Sequence, residues 1–164
     1  MLSALATLLV AGYLLPERLI IPVEGATTRD WNEQTFWYEP WGVSGVHKGI
    51  DIFAPAGQPV IAATGGVVVF SGTLGIGGNV VVVLGPKWRF HYYAHLKRRD
   101  VSFGRFVGRG ARLGTVGNSG NAAGTPSHLH YSIATLIPYP WRITTETQGY
   151  LKMFFLDPDA KLRR

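Results

Sequence analysis

The 164-residue sequence predicts a mainly β protein, an antiparallel sheet or sandwich preceded by one short apolar helix. Three observations carry that reading. Twenty-one glycines and ten prolines, with no period, punctuate short runs of Val, Ile and Phe, which is the pattern of many short strands. Hydrophobic residues make up 46% and charged residues 16%, so a packed core is available to a chain of single-domain length. The first residues depart from this punctuation and form one continuous apolar run. There is no cysteine, which excludes thiol nucleophiles, thiolate metal sites and disulfides. Any metal must therefore be held by histidine and carboxylate.

The apolar run, LSALATLLVAGYLL from Leu2 to Leu15, ends at Pro16-Glu17-Arg18. At about 1.5 Å per residue, a helix of this length falls short of a bilayer core, which needs about 20 residues. Residues 1–21 are expected to act as an export signal or, extended through Leu19-Ile20-Ile21, as a short membrane anchor. Residues 22–45 form a connector that carries Trp31, Phe36, Trp37, Tyr38 and Trp41. These aromatics suit either a cluster packed on a sheet or the lining of a groove for sugar or peptide. From Val46 onward the text is β, with strands expected near 59–62, 67–70, 80–84, 90–96 and 128–134. Gly75-Ile76-Gly77-Gly78 lacks the lysine of a phosphate loop and sits between two strands, so it reads as a hairpin turn. Residues 141–164 are a C-terminal extension, with a frayed polar tail expected from Asp157.

Sixteen Lys and Arg against ten Asp and Glu give a net charge of +6. The stretch from Lys87 to Arg112 holds much of the excess and is opposed only by Asp100. Such a surface suits an anionic polymer or is simply a solvated basic face.

The five histidines are the most informative residues. In His128-Leu129-His130, strand alternation puts both imidazoles on one face and Leu129 on the other. In His47-Lys48-Gly49-Ile50-Asp51, the first and fifth residues share a face, and Gly49 admits a close approach. Between Glu39 and Glu146 the only acids are Asp51 and Asp100. Asp100 follows Lys97-Arg98-Arg99 and is explained as their counter-ion. Asp51 sits among Ile50, Ile52 and Phe53, where an unpartnered carboxylate is costly. Imidazole and carboxylate are normal ligands for a borderline divalent ion. By the same alternation His91 shares a face with Tyr93 and His95, and it reads as a surface or site-peripheral residue.

H-K-G-I-D from His47, Y-A-H-L from Tyr93 and H-L-H from His128 together resemble the three motifs of the lysostaphin-type (LytM-domain) zinc endopeptidases. The glycine-rich text around Ala54-Pro55, Gly114-Thr115 and Gly124-Thr125 fits the same family. The resemblance runs from about Val46 to Ala134, and residues 46–140 are expected to form the peptidase domain. It implies the duplicated-hybrid-motif type of β fold and one zinc ion per chain, with His47, Asp51 and His130 as ligands. It implies His95 and His128 as catalytic histidines off the metal, in a site that lacks the glutamate base of helical zinc proteases. The implied substrate is the peptide part of peptidoglycan, cut by a monomeric protein exported to the cell envelope, with no nucleic-acid partner. A non-catalytic wall-binding or activator domain of the same family is the alternative, and a basic nucleic-acid-binding β domain is a third. That last reading leaves the His/Asp spacing unexplained.

Overall fold

The computed structural model describes residues 2–163. Helix α1 spans Leu2–Leu14. Then follow β1 (Ile50–Phe53), β2 (Pro59–Ile61), β3 (Gly66–Thr73), β4 (Asn79–Gly85), β5 (Arg89–Arg99), β6 (Phe106–Val107), β7 (Arg112–Val116), β8 (His128–Thr135) and β9 (Phe155–Leu156). A last short helix, α2, covers Pro158–Leu162. The described strands form one sheet whose main path runs β1-β8-β5-β4-β3-β6, with β7 on β5 and β2 on β7. Every pairing is antiparallel.

The predicted β architecture is therefore the observed one: the five expected strands are β2, β3, β4, β5 and β8, of which all but β2 are longer than their apolar runs suggest, while β1, β6, β7 and β9 are additional. Hydrogen-bond ladders continue into polar residues that do not reach the core, as β5 does through Arg98 and Arg99. The Gly75–Gly78 segment is the β3–β4 turn, closed by Leu74 N–H donating to Gly78 O at 2.9 Å. Val80, Val81 and Val83 of β4 are all fully buried, which explains why β4 reads as a continuous β-branched run. The core is built on Ile50, Ile52, Val60, Leu113, Leu129 and Ile133.

Two histidines on β5 do not follow simple alternation. His91 is fully buried, with Nδ1 at 2.7 Å from the Tyr131 hydroxyl. It is a core residue, and the expectation of a surface or site-peripheral histidine is corrected. Its Nε2 lies 3.5 Å from Glu17, which enters the core beyond α1 and pairs with Arg89. His95 should share that core face but does not. Its backbone sits in the left-handed region at φ 62, and the β5–β7 register shifts between Leu96 and Arg98. The irregularity turns the His95 imidazole to the opposite side of the sheet, where it meets His128 and His130.

The aromatic connector lies against the sheet. Val23 bridges to Val60, and the buried Trp31 donates its indole N–H to Asp159 at 2.7 Å. Trp37 donates to Thr147 O at 3.1 Å. Asp159 belongs to α2, whose first turn is capped by Asp157, so the tail is held in place rather than frayed. Arg164, the last residue of that expected tail, and Met1 lie outside the described residues. Helix α1 rests on residues 86–88, with Trp88 Nε1 donating to Leu9 O at 2.8 Å. Among the described residues no helix is long and apolar enough to cross a membrane.

Candidate metal centre and catalytic cleft

Strand register builds the site. Asp51 on β1 stands directly opposite His130 on β8, and Ala94 on β5 stands opposite His130 from the other side. Alternation along β8 puts His128 and His130 on the cleft face and buries Leu129 in the core. His47 arrives from the segment before β1, with its main chain pinned between Trp37 and Tyr38. Gly49 makes this convergence sterically feasible. A Cβ there would lie 2.5 Å from Tyr131 O and 2.9 Å from the His130 ring. Gly49→Ala is therefore expected to cost about 1–3 kcal/mol through overpacking. Thermal melts paired with metal titration check this, since the displaced His130 should weaken metal binding as well.

His47 Nε2, Asp51 Oδ1 and His130 Nδ1 form a triangle with sides of 3.1, 3.0 and 2.9 Å. The His47 tautomer follows from its other nitrogen, Nδ1, which lies 3.0 Å from Thr35 O. A carbonyl can only accept, so Nδ1 carries a proton, and in the neutral ring Nε2 is left as a lone pair. That lone pair faces a carboxylate oxygen. Two acceptors 3.1 Å apart repel unless a positive centre lies between or above them. A proton on His130 serves only part of the triangle. Donors bound to one tetrahedral zinc ion at about 2.0–2.2 Å stand roughly 3.3 Å from one another, so the donor set fits such an ion.

The electrostatics agree. Burial alone would raise the Asp51 carboxyl, but the hydrogen bond from His130 outweighs it and holds the group well below the usual carboxylate range. Burial lowers His130, which favours the neutral ring that a metal requires. The indole of Trp41 stacks on His47 at 4.0 Å and shields its open face.

His95 and His128 stand beside the triangle, with ring centroids 5.0 Å apart. Each is oriented by a main-chain carbonyl, His95 Nδ1 at 2.8 Å from Ser119 O and His128 Nδ1 at 2.8 Å from Pro126 O. In the neutral ring Nε2 is then the acceptor nitrogen of each, and that of His128 lies 3.9 Å from Asp51 Oδ2. Burial first, and then the neighbouring His130, push His95 down to about 4, so it is a neutral base near pH 7. The five residues that the motifs single out thus meet at one place. Thr35, Trp41, Ser119 and Pro126 complete it, and of these only Pro126 lies in the glycine-rich text that fits the family. Trp41 is one of the five connector aromatics, and nothing in the sequence separates it from the other four.

Two adjoining cavities flank the cluster and share Trp41, His95, Asn121 and His130. One, of about 420 Å³, is largely apolar and lined by Val82, Phe90 and Tyr92, with Lys48 among its lining residues. The other, of about 340 Å³, runs past Asp51, Phe53, Thr125 and His128. An extended chain laid across both would pass directly over the imidazoles.

A His/Asp/His cluster able to hold a metal ion, with two further histidines beside it and two adjoining cavities around it, is the arrangement of a metallopeptidase. Residues 45–138 match Peptidase family M23, and the chain belongs to that family. Over 140 residues it is 34% identical to the L-Ala–D-Glu endopeptidase of Bacillus subtilis (strain 168), covering 75% of this chain and 43% of that one. Over 85 residues it is 40% identical to the peptidoglycan DD-endopeptidase ShyC of Vibrio cholerae, covering 52% of this chain and 19% of that one. The chain thus spans less than half the length of either relative. Its fold is similar to the catalytic domain of the antimicrobial peptidase lysostaphin from Staphylococcus simulans, with a TM-score of 0.62 and 26% identity, over 76% of this chain and 86% of that one.

Proposed function

We propose that this chain is an endopeptidase that hydrolyses an amide in the stem or cross-link peptides of bacterial peptidoglycan, with one zinc ion held by His47, Asp51 and His130. The observation that carries the reading is the convergence of His47 Nε2, Asp51 Oδ1 and His130 Nδ1 within 2.9–3.1 Å of one another, a donor set that can hold a metal ion. When bound, the ion would supply Lewis-acid polarisation of the scissile carbonyl and a lowered pKa for attacking water. The remaining chemistry belongs to the protein. His128, with Nε2 free and Asp51 close by, accepts the proton of the nucleophile and holds it as an imidazolium beside a carboxylate. His95, across the cluster, is placed to donate to the oxyanion or to the departing amine once protonated. The paired cavities bind the peptide on either side of the bond and exclude water from the imidazoles.

The substrate class is supported by relatives named for endopeptidase action on peptidoglycan. A wall polymer implies work outside the cytoplasm, with the apolar α1 directing export or resting in the membrane, and the enzyme acting as a monomer. The test is digestion of purified sacculi by the zinc-loaded protein, with the products resolved by mass spectrometry. New amino termini on stem or cross-link peptides are expected, with intact glycan strands, and a chelator should abolish them until zinc is restored. Sacculus binding by zinc-loaded protein with no released amine would assign the chain to non-catalytic wall binding instead.

A further inference from the structure

A second charged site lies where α1 meets the sheet, separate from the histidine cleft. Beyond Leu14 the chain turns at Pro16 and carries Glu17 inward, where its carboxylate pairs with Arg89. Both side chains are nearly inaccessible, at 5% and 7%, so each neutralises the other. Around this pair opens a cavity of about 480 Å³ lined by Arg18, Lys87, Arg89, Arg109 and Lys161 together with Glu17. Five cations face a single carboxylate. Arg18 and Arg109 are exposed, and among the described residues neither has a carboxylate partner. Cations gathered around one cavity repel one another and focus a positive potential that attracts an anion.

The surroundings specify which anion. Lys87 Nζ donates to Tyr13 O at 3.1 Å and lies 5.3 Å over the Tyr13 ring, so the cavity adjoins the C-terminal turn of α1. Helix α1 carries no charged residue, and its Leu8, Val10 and Leu14 are exposed at 57%, 58% and 70%. An uncovered apolar helix ending at a ring of cations matches a lipid leaflet, with acyl chains along the helix and a phosphate among the Lys and Arg side chains. We infer that this cavity is a binding site for the phosphodiester headgroup of an anionic phospholipid. The inference deepens the proposed membrane attachment of α1 and does not depend on the peptidase chemistry. Its physical role would be to set the orientation of the attached sheet, since a specific headgroup contact fixes rotation about an apolar contact that has none.

The test is flotation of the full chain with vesicles of phosphatidylcholine alone and of phosphatidylcholine with added phosphatidylglycerol. Wild type is expected to partition more strongly to the anionic vesicles. Arg18→Ala with Arg109→Ala should lower that partition by roughly fivefold per arginine, leave partition to neutral vesicles unchanged, and keep the thermal midpoint. Leu8→Asn with Leu14→Asn should instead weaken binding to both vesicle types. Equal binding to both vesicles, unaffected by the arginine variants, would leave the attachment of α1 standing and overturn the headgroup site. Binding to neither overturns both. Saturable binding of glycerol phosphate in solution without any preference for anionic vesicles would make the ligand a soluble phosphate and overturn the lipid assignment. A loss of sacculus binding in the arginine variants, with vesicle partition unchanged, would give these cations to the wall polymer and overturn it equally.

Discussion

Asp51→Ala protein, loaded with zinc and dialysed, is expected to retain little metal, against the one ion per chain expected of the wild type. The substitution removes the single anionic donor of the triangle and leaves His47 Nε2 and His130 Nδ1, 3.0 Å apart, with no carboxylate to offset the charge of an ion. Changes to groups that merely orient ligands cost about 10–100-fold in metal affinity, so losing a donor should cost at least that. Activity on a cross-linked muropeptide should fall in step with zinc content. His130→Ala should behave in the same way. Zinc measured by elemental analysis, alongside the rate, checks both. Full zinc content in Asp51→Ala would remove this carboxylate from the ligand set.

The second large effect separates proton carriers from ligands. His95→Ala leaves the triangle untouched, because His95 meets it only ring to ring, with centroids 5.9 Å from His130. That protein should keep its zinc and lose about 10²–10⁴ in rate, the usual worth of a positioned acid or base. His128→Ala should do likewise, although it differs from His130 by two positions on one strand face. A His128→Ala protein that loses zinc while His130→Ala keeps it would reverse the assignment within the pair. Retention of both zinc and activity in all four variants would remove the peptidase reading itself.

Much of this site is legible in the amino-acid order because it rests on strand alternation and on scarcity. His128 and His130 share a face by period, and Asp51 stands out as a carboxylate without a basic neighbour in an apolar run. The β5 histidines are not legible in the same way. Alternation treats His91 and His95 as equivalent, but a residue at positive φ and a register shift send one to the core and the other to the cleft. Nothing in the local text of Tyr93-Ala94-His95 announces that irregularity, which is imposed by pairing to β7 and by the Ser119 carbonyl. The tail from Asp157 is similar. Its polarity suggests fraying, yet Asp159 finds the indole of Trp31, 128 positions earlier in the chain. Long-range partners of this kind leave no periodic trace.

Three imidazoles in the cleft owe their orientation to main-chain oxygens, those of Thr35, Ser119 and Pro126. Every residue type supplies the same carbonyl, so the proton inventory of the cleft is written in the path of the backbone rather than in the identity of those three residues. Replacing Thr35 by another residue that keeps the local turn would leave His47 presenting the same lone pair. A one-residue deletion in the loop, changing no side chain near the rings, would scramble it. The site is thus buffered against point substitution at these positions and fragile to changes of loop length, so insertions and deletions between 30 and 45 or 117 and 127 are where inheritance of the activity is most easily broken.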